Sequence, residues 1–450
     1  MISVHAEPRQ GLVHGSSSLG TDSHSDPREK TGLGLDGGEV DGADSASSSD
    51  SEELEYPDGG RGWLIVFGAV SIGFATFGFV NAWGVFQSYY TTHLLKDSSP
   101  SNIAWIGSIQ YSLVFGPGFI GGRLLDIGHF RIPMLTGSLI LVVAIALVAE
   151  CTEYWHFLLC QGIGVGLGAG ICFGPAAPIV GHWFLKRRGL AFGITAAGSS
   201  LGGSVYPIIA RQLINAVGFQ WTMRILALIS FTALAAANLT LRPRLPPKNL
   251  PGGFLNFKVF KSAVFSIYCS SLFISFLGIY TVLTYIDVGA VQAGISPDFS
   301  FYLISIANMS SAPGRILTGV VADRVGPVNV IVPMSCMAAI MTFAWPYAVS
   351  KGSLIAVAIL YGFASSAFVS AFSMPIYKMG EMGDIGRRLG TTMIFTAVGG
   401  LCGPPISGAI KGPSGDLKFM SYYAGSAILV GVALMLTTKR LVLGTVWGKF

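Results

Sequence analysis

Arg315 lies in an apolar stretch, SSAPGRILTGV, where a permanent positive charge is rare and by default functional. A guanidinium group stays protonated at neutral pH and offers a planar set of N–H donors that matches a carboxylate. Pro313 and Gly314 precede it and can loosen a helix enough to expose backbone carbonyls. We therefore expect Arg315 to contact an anionic solute. The alternative is a structural role, in which it binds carbonyl or hydroxyl groups of a facing helix.

Uncharged polar residues in other apolar stretches are candidates for the rest of a solute site. Amides and hydroxyls both donate and accept hydrogen bonds, and a tyrosine ring also stacks on flat solutes. The candidates are Asn81, Gln87, Gln110, Tyr111, Asn308 and Ser311. An aromatic ring that faces lipid has the same sequence pattern. Arg211 and Arg224 lie nearer the ends of apolar stretches, where arginine can extend to water, and fit either membrane anchors or an outer vestibule.

Two acidic residues recur in one local pattern where apolar stretches end. Asp126 ends the Gly-x-x-x-Asp pattern of GRLLDIG, and Asp323 ends that of GVVADRVG, 197 residues later. Helix starts present N–H groups without an intrahelical partner, which a carboxylate can accept. The two acids are therefore candidates for contacts with nearby helix ends. The alternative is that they are ordinary loop charges that set the topology.

Four arginines repeat at almost the same offset. Arg187-Arg188 precede one apolar stretch and Arg387-Arg388 precede another, 200 residues later. Two patterns repeated at a nearly constant offset indicate an internal duplication.

The composition requires that these residues are held by helices in a membrane. Of the 450 residues, 51% are hydrophobic and 11% are charged, whereas a soluble domain has about 25% charged residues. The 59 glycines fit closely packed membrane helices. The positive residues cluster at helix ends on one side, which excludes a nucleic-acid-binding surface. The sequence therefore predicts an all-α membrane protein with the lipid bilayer as its solvent.

Apolar runs of the length that crosses a bilayer, about 20 residues, occur twelve times. We place the spans at 63–89, 103–124, 131–149, 155–180, 189–216, 221–241, 257–285, 299–322, 327–349, 353–375, 388–410 and 420–441. With the N-terminus inside, 18 Lys and Arg residues fall in cytoplasmic segments and 4 in outer loops. The positive-inside rule then predicts that both termini are cytoplasmic, in the plasma membrane or an internal membrane such as that of the vacuole.

Four segments follow from this pattern. We expect a disordered acidic cytoplasmic tail at 1–57, since its polar composition cannot bury enough apolar area to offset ordering entropy. A six-helix bundle at 58–241, a Pro-rich basic cytoplasmic linker at 242–256 and a second six-helix bundle at 257–445 complete the chain. The duplication predicts that the two bundles are pseudo-symmetric.

Several kinds of chemistry lack sequence support. The six cysteines include no Cys-x-x-Cys pair, so we expect no metal site and no disulfide. GIGVGLGAG (162–170) resembles a dinucleotide loop, but it lies within a membrane span, where glycines serve helix packing. We therefore expect no cofactor and no enzymatic activity.

Twelve spans with these repeated loop motifs resemble the major facilitator superfamily, over residues 57–445. Two stretches narrow the resemblance to its monocarboxylate-porter family: PDGGRGWLIVFGA (57–69) and HWFLKRRGLAFGITAAGS (182–199). The end of span one, VNAWGVFQSYY (80–90), looks more like fungal members. The signature residues in the first stretch are Asp58, Gly59, Gly60, Gly62 and Trp63.

The resemblance implies partners for the loop acids. Asp126 would engage the start of span eleven and Asp323 the start of span five, near the two arginine pairs. Such latches would hold the cytoplasmic side shut and break as the two halves rock.

This chain differs from proton-coupled members of the family at the positions of the residues that bind the proton. Proton-coupled lactate carriers of this family have a lysine in span one and an aspartate one turn before the span-eight arginine. The aligned positions here are Asn81 and Ser311. We therefore expect a facilitator, or coupling by a different route. His129 and His182 can titrate, but both lie in cytoplasmic loops.

Three functional hypotheses remain open. The first is alternating-access transport of a small organic anion of the monocarboxylate type, with Arg315 at the carboxylate. The alternative is export of a secondary metabolite, or uptake of a neutral compound such as a vitamin, through the same cavity. The third, a non-transporting sensor or accessory subunit, would need a longer cytoplasmic extension than a 57-residue tail. The sequence leaves accessory subunits and the identity of the solute open.

Overall fold

The structure is a computed structural model that describes residues 56–247, 253–380, 382–411, 416–445 and 447–450. Almost all of the predicted tail, and part of the predicted linker, therefore lie outside the described residues. The described part is helical and contains no β-strand. Its twelve long helices are α1 Gly62–Leu94, α2 Asn102–Asp126, α3 Arg131–Val148, α4 Tyr154–Gly181, α5 Arg188–Val217, α6 Phe219–Thr240, α7 Ala263–Gln292, α8 Tyr302–Val325, α9 Pro327–Tyr347, α10 Lys351–Lys378, α11 Ile385–Ile410 and α12 Leu417–Leu443. The predicted all-α fold with twelve spans is confirmed.

Ten of the twelve helices are long and apolar enough to cross a membrane. The other two are α5 and α8, which have 30 and 24 residues. They fall below the hydropathy of the rest because glycine, serine, asparagine and arginine replace aliphatic residues along them. Such residues are tolerated in a span when they face protein instead of lipid.

Helices α5 and α8 pack against each other through these small and polar residues. A Cβ at Gly189 would overlap the carbonyl oxygen of Gly319, so the two backbones nearly touch. One turn after another, side chains then bridge the helices: the Ser200 and Ser311 hydroxyls are 2.6 Å apart, and Asn308 Nδ2 donates to the Gly203 carbonyl at 3.3 Å. The first and second halves of the chain are therefore joined along α5 and α8.

Helices α2 and α11 make the equivalent contact on the other side of the bundle. A Cβ at Gly122 would lie 2.5 Å from the carbonyl oxygen of Gly386. Farther along the pair, the Ser112 hydroxyl donates to the Ala397 carbonyl at 3.5 Å.

Candidate functional site

A cavity lies between the halves, and both contribute side chains to it. We call it the central cavity; about 1120 Å³ of space, including its open part, is free of protein atoms. Its lining comes from α1, α2, α4, α5, α7, α8, α10 and α11. The polar lining residues are Asn81, Tyr111, Thr195, Ser199, Tyr280, Asn308, Ser311, Arg315, Ser365, Ser366, Ser370 and Ser373.

Aromatic rings form one wall of the central cavity. The Phe77 ring on α1 packs edge-on against Phe115 and Phe173, with centroids 5.3 and 4.8 Å away. Tyr111 on α2 meets Tyr280 on α7 at 4.9 Å, which connects the aromatic wall across the two halves. Edge-on packing leaves ring faces and edges that can receive a flat solute.

Arg315 provides the charge of the cavity. Its side chain is only 9% exposed, and Nη1 donates to the Ala196 carbonyl at 2.6 Å and to the Ser199 hydroxyl, both on α5. Nε is buried and has no hydrogen-bond partner among the described residues. The hydrogen bonds to a facing helix that the structural alternative requires are thus present, and the Nε donor of the guanidinium group remains without a partner among the described residues.

Five of the seven residues named as candidates for the solute site line the cavity, namely Asn81, Tyr111, Asn308, Ser311 and Arg315. Gln87 is not among the lining residues, and neither is Gln110. It is fully buried away from the cavity lining, and its amide has no hydrogen-bond partner among the described residues. Successive residues of a helix point in directions about 100° apart. When Tyr111 faces the cavity, its neighbour Gln110 therefore points elsewhere.

Sequence reasoning missed several lining residues. Thr195 has a buried hydroxyl without a partner among the described residues, and Tyr280 faces Tyr111 across the two halves. The serines of α10 also line the cavity. Their spacing at 365, 366, 370 and 373 was the available signal, because it puts hydroxyls on one side of an otherwise apolar helix.

Two arginines predicted as anchors or vestibule residues lie outside the cavity lining. Arg211 on α5 stacks on the Phe301 ring, with its guanidinium carbon 4.9 Å from the centroid. Arg224 on α6 pairs with Glu150 at 2.6 Å, and both side chains are largely exposed. Neither is positioned to meet a solute in the central cavity.

The loop acids bind backbone N–H groups of the opposite half. Asp323 accepts from Gly189 N at 2.5 Å and Leu190 N at 2.9 Å, at the start of α5. Asp126 accepts from Gly386 N at 3.1 Å and Arg387 N at 2.8 Å, at the start of α11. Both contacts cross between the halves at one end of the bundle, which is the predicted cytoplasmic end.

The four arginines near these contacts have different surroundings. Arg188 Nε donates to the Phe184 carbonyl at 2.9 Å, and its guanidinium carbon lies 4.7 Å from the ring centroid of Tyr377 in the second half. Arg387 Nε pairs with Asp384. Arg388 Nη1 donates to the Ile376 carbonyl, and the backbone N–H of Arg187 donates to Asp58 Oδ1.

The signature residues before α1 dock on the segment that precedes α5. Asp58 Oδ1 accepts from three backbone N–H groups at 185–187. Gly59 and Gly60 form the turn, and Gly60 has a φ of 54°, which favours glycine. A Cβ at Gly62 would lie 2.9 Å from the Phe184 ring, against which Trp63 also packs.

Titratable groups are absent from the cavity lining apart from Arg315 and two tyrosines, as far as the described residues extend. His182 lies in the turn between α4 and α5. Burial, with a smaller contribution from the Arg188 guanidinium, lowers the pKa of His182 from 6.5 to about 4. The imidazole is therefore neutral at physiological pH.

Comparison with known proteins identifies relatives of the whole helical region. The sequence model described as Major Facilitator Superfamily matches residues 69–379. The chain is 36% identical to the aspyridones efflux protein apdF of Emericella nidulans, over 87% of this chain and 80% of that protein. It is 35% identical to the agnestins efflux protein AgnL12 of Paecilomyces divaricatus, over 88% and 91%.

Solved structures with the same fold are more distant in sequence. The human organic anion transporter MFSD10 superposes with a TM-score of 0.66 at 17% identity, over 83% of this chain and 99% of that one. The fucose:proton symporter FucP of E. coli superposes with a TM-score of 0.64 at 14% identity, over 83% and 98%. At such identities the likeness concerns the fold alone.

Proposed function

The chain belongs to the major facilitator superfamily, and we propose that it exports a secondary metabolite with an acidic group, by alternating access of the central cavity. Two relatives at 35–36% identity are named as efflux proteins for aspyridones and agnestins, which supports export over uptake. The monocarboxylate-porter resemblance of 57–69 and 182–199 supports the acidic group. This proposal takes up the alternative of the sequence analysis, export of a secondary metabolite, and keeps from the first hypothesis only the acidic group of the solute.

The observation that carries the proposal is the pairing of one buried arginine with an aromatic wall. Arg315 Nε is unpartnered among the described residues and belongs to a guanidinium group that lines the cavity. Because Nε is buried, an ionised oxygen in the cavity would gain a charge-assisted hydrogen bond from it once the guanidinium group turns toward the cavity. The rings around Phe77, Tyr111 and Tyr280 suit a flat, conjugated body attached to the acid.

Solute binding would also change the contact between the halves. Arg315 Nη1 is held by a neutral carbonyl and a hydroxyl of α5. These bonds already have a charged donor, but a carboxylate adds the Coulomb attraction of its own negative charge, so it competes with the two neutral acceptors for the same donors. Binding would then loosen α8 from α5 at mid-membrane and favour the rocking that alternating access requires.

We further propose that Asp126 and Asp323 tune the balance between the two access states. Each takes N–H groups that are otherwise unpaired at a helix start. Both contacts must break for the predicted cytoplasmic end to open. Replacing either carboxylate with an amide removes the charge and weakens the closed state.

The cavity favours transport without a proton bound at its centre. Asn81 and Ser311 hold the positions that carry lysine and aspartate in proton-coupled members, and neither side chain titrates. Ser311 instead bridges to Ser200 at 2.6 Å. We propose facilitated movement, or coupling through groups outside the cavity.

The test is transport into vesicles with matched solutes and matched arginines. A flat aromatic acid, its methyl ester and lactate are offered to wild type, to R315Q and to R224Q, whose arginine is exposed far from the cavity. We expect wild type to move the aromatic acid best, R315Q to lose the acid but keep any transport of the ester, and R224Q to match wild type. Lactate transport without aromatic acid transport would favour the small monocarboxylate. Equal loss of acid and ester in R315Q would remove Arg315 from solute binding.

A further inference from the structure

We infer that Asp58 is a positioning residue for the cytoplasmic closure, because it holds the start of α5 in the shape that Asp323 binds. The inference rests on the proposed role of Asp323 as a latch. It assigns a conformational role to an acid that the sequence identifies only as part of a signature.

The geometry around Asp58 is that of a backbone clamp. Its Oδ1 accepts from Leu185 N at 2.9 Å, Lys186 N at 2.8 Å and Arg187 N at 3.0 Å. Its own N–H donates to the Trp183 carbonyl at 3.2 Å. Asp58 has a φ of 47°, a left-handed conformation that is uncommon outside glycine and that aspartate adopts more readily than most other residues.

Two carboxylates therefore share the N–H groups around one helix start. Asp58 takes those at 185–187, and Asp323 takes those of Gly189 and Leu190. Asp58 belongs to the same half as α5 and moves with it, whereas Asp323 belongs to the other half. The first contact can persist through the transport cycle, while the second must break and re-form.

The difference between the persistent Asp58 contact and the reversible Asp323 contact predicts the effect of losing Asp58. Without the clamp, the segment before α5 regains backbone freedom that the closed state must again remove. Asp323 would then bind a less ordered target, and closure would weaken although Asp323 itself is intact. The effect of Asp58 is thus expressed through Asp323 and not through Asp126, which binds α11.

The second half has a contact at the corresponding place, made by different chemical groups. Asn256 lies 198 residues after Asp58, close to the repeat offset, and precedes the first helix of its half. Its Nδ2 donates to Asp384 Oδ2 at 2.6 Å, and its N–H donates to the Thr391 hydroxyl at 3.0 Å. Asp384 pairs with Arg387 at the start of α11. In both halves, a residue that precedes the first helix thus hydrogen-bonds near the helix start that the opposite loop acid binds, as an acceptor in Asp58 and as a donor in Asn256.

The experiment measures access to the predicted cytoplasmic end. A reporter cysteine replaces Ala177, which lines the cavity near Tyr377, after the six native cysteines are changed to serine. A membrane-impermeant maleimide is applied from the cytoplasmic side to D58N, D323N, D126N and the double variants of D58N with each. D416N is the matched control, because Asp416 also caps a helix start, by accepting from Lys418 N at 2.9 Å, but within one half.

We expect D323N to raise the labelling rate about five- to tenfold, since it replaces charged hydrogen bonds with neutral ones. D58N should raise it severalfold and add little to D323N, but should add fully to D126N, as expected of independent sites. D416N should match the parent. If D58N does not reach the membrane, D58S, whose hydroxyl accepts fewer bonds, takes its place with the same expected coupling.

The outcomes separate the inference from its premise. An unchanged rate in D323N would overturn the latch itself, and the role of Asp58 with it. A normal effect of D323N with no effect of D58N, or full additivity of the two, would overturn the role of Asp58 alone.

Discussion

Replacing Gly122 with alanine should prop open the predicted cytoplasmic end. The added Cβ would lie 2.5 Å from the Gly386 carbonyl oxygen and 3.0 Å from its carbonyl carbon. Both are backbone atoms of α11 and cannot rotate away. An ordinary contact needs about 3.5 Å, so α2 and α11 must separate by about 1 Å, which also stretches the Asp126 bonds to Gly386 N and Arg387 N.

The magnitude follows from the cost of overpacking, about 1–3 kcal/mol. The clash exists only while the halves are closed at this end, so the whole cost falls on the closed state. A shift of about 1.4 kcal/mol changes an equilibrium tenfold, and we expect G122A to raise cytoplasmic labelling of the Ala177 reporter by roughly five- to a hundredfold. Transport should slow, because re-closure becomes the difficult step.

The matched control is G84A on α1. No heavy atom lies within 4 Å of a Cβ built at Gly84. Alanine at this position should therefore be neutral, or slightly stabilising because it lowers the backbone entropy of the unfolded chain. Labelling should then match the parent. If G122A left the labelling rate unchanged in a folded protein, the α2–α11 contact would not be a closure, and the account of the two access states would fail.

Further predictions concern the cavity and one buried histidine. F77A should raise KM for a flat aromatic acid by several-fold, since an aromatic contact contributes about 0.5–1.5 kcal/mol. Any transport of lactate should stay unchanged. Equal effects on both solutes would contradict the role of the aromatic wall in binding flat solutes. The pKa of His182 is lowered to about 4, so wild type should lose thermal stability relative to H182Q as pH falls from about 6.5 to 4. Above pH 6.5, the difference in stability between the two proteins should be constant. A difference that changes between pH 7 and 8 would contradict a neutral buried imidazole. Over the physiological pH range, the transport profile of H182Q should match wild type.

The sequence predicted the helices well because a bilayer imposes one length on every span. Even α5 and α8, whose hydropathy is low, were placed from their uncharged length, and the distribution of Lys and Arg in the loops agreed with the number of spans. The partners of Asp126 and Asp323 were expected from family resemblance alone. Their sequence spacing does not reveal that Asp126 binds a backbone N–H group 260 residues away and Asp323 one 133 residues away.

The parts that the sequence could not predict depend on helix rotation and on contacts between distant segments. Gln110 and Tyr111 are adjacent, and only the packing of α2 decides which of them faces the cavity. The sequence favoured a solute contact for Arg315 and left a structural role as the alternative, and the structure gives it bonds to α5 together with an unpartnered Nε among the described residues. Asp58 stood out only as a signature residue, because its three N–H donors follow it by more than 120 residues.

The most direct test of the account is equilibrium binding of one aromatic acid and its methyl ester to purified wild type and R315Q. The account predicts that R315Q binds the acid about 10- to 100-fold more weakly, as expected for the loss of a charge-assisted hydrogen bond, and binds the ester as wild type does. Equal affinity of R315Q and wild type for the acid would contradict it, and so would an equal loss for acid and ester.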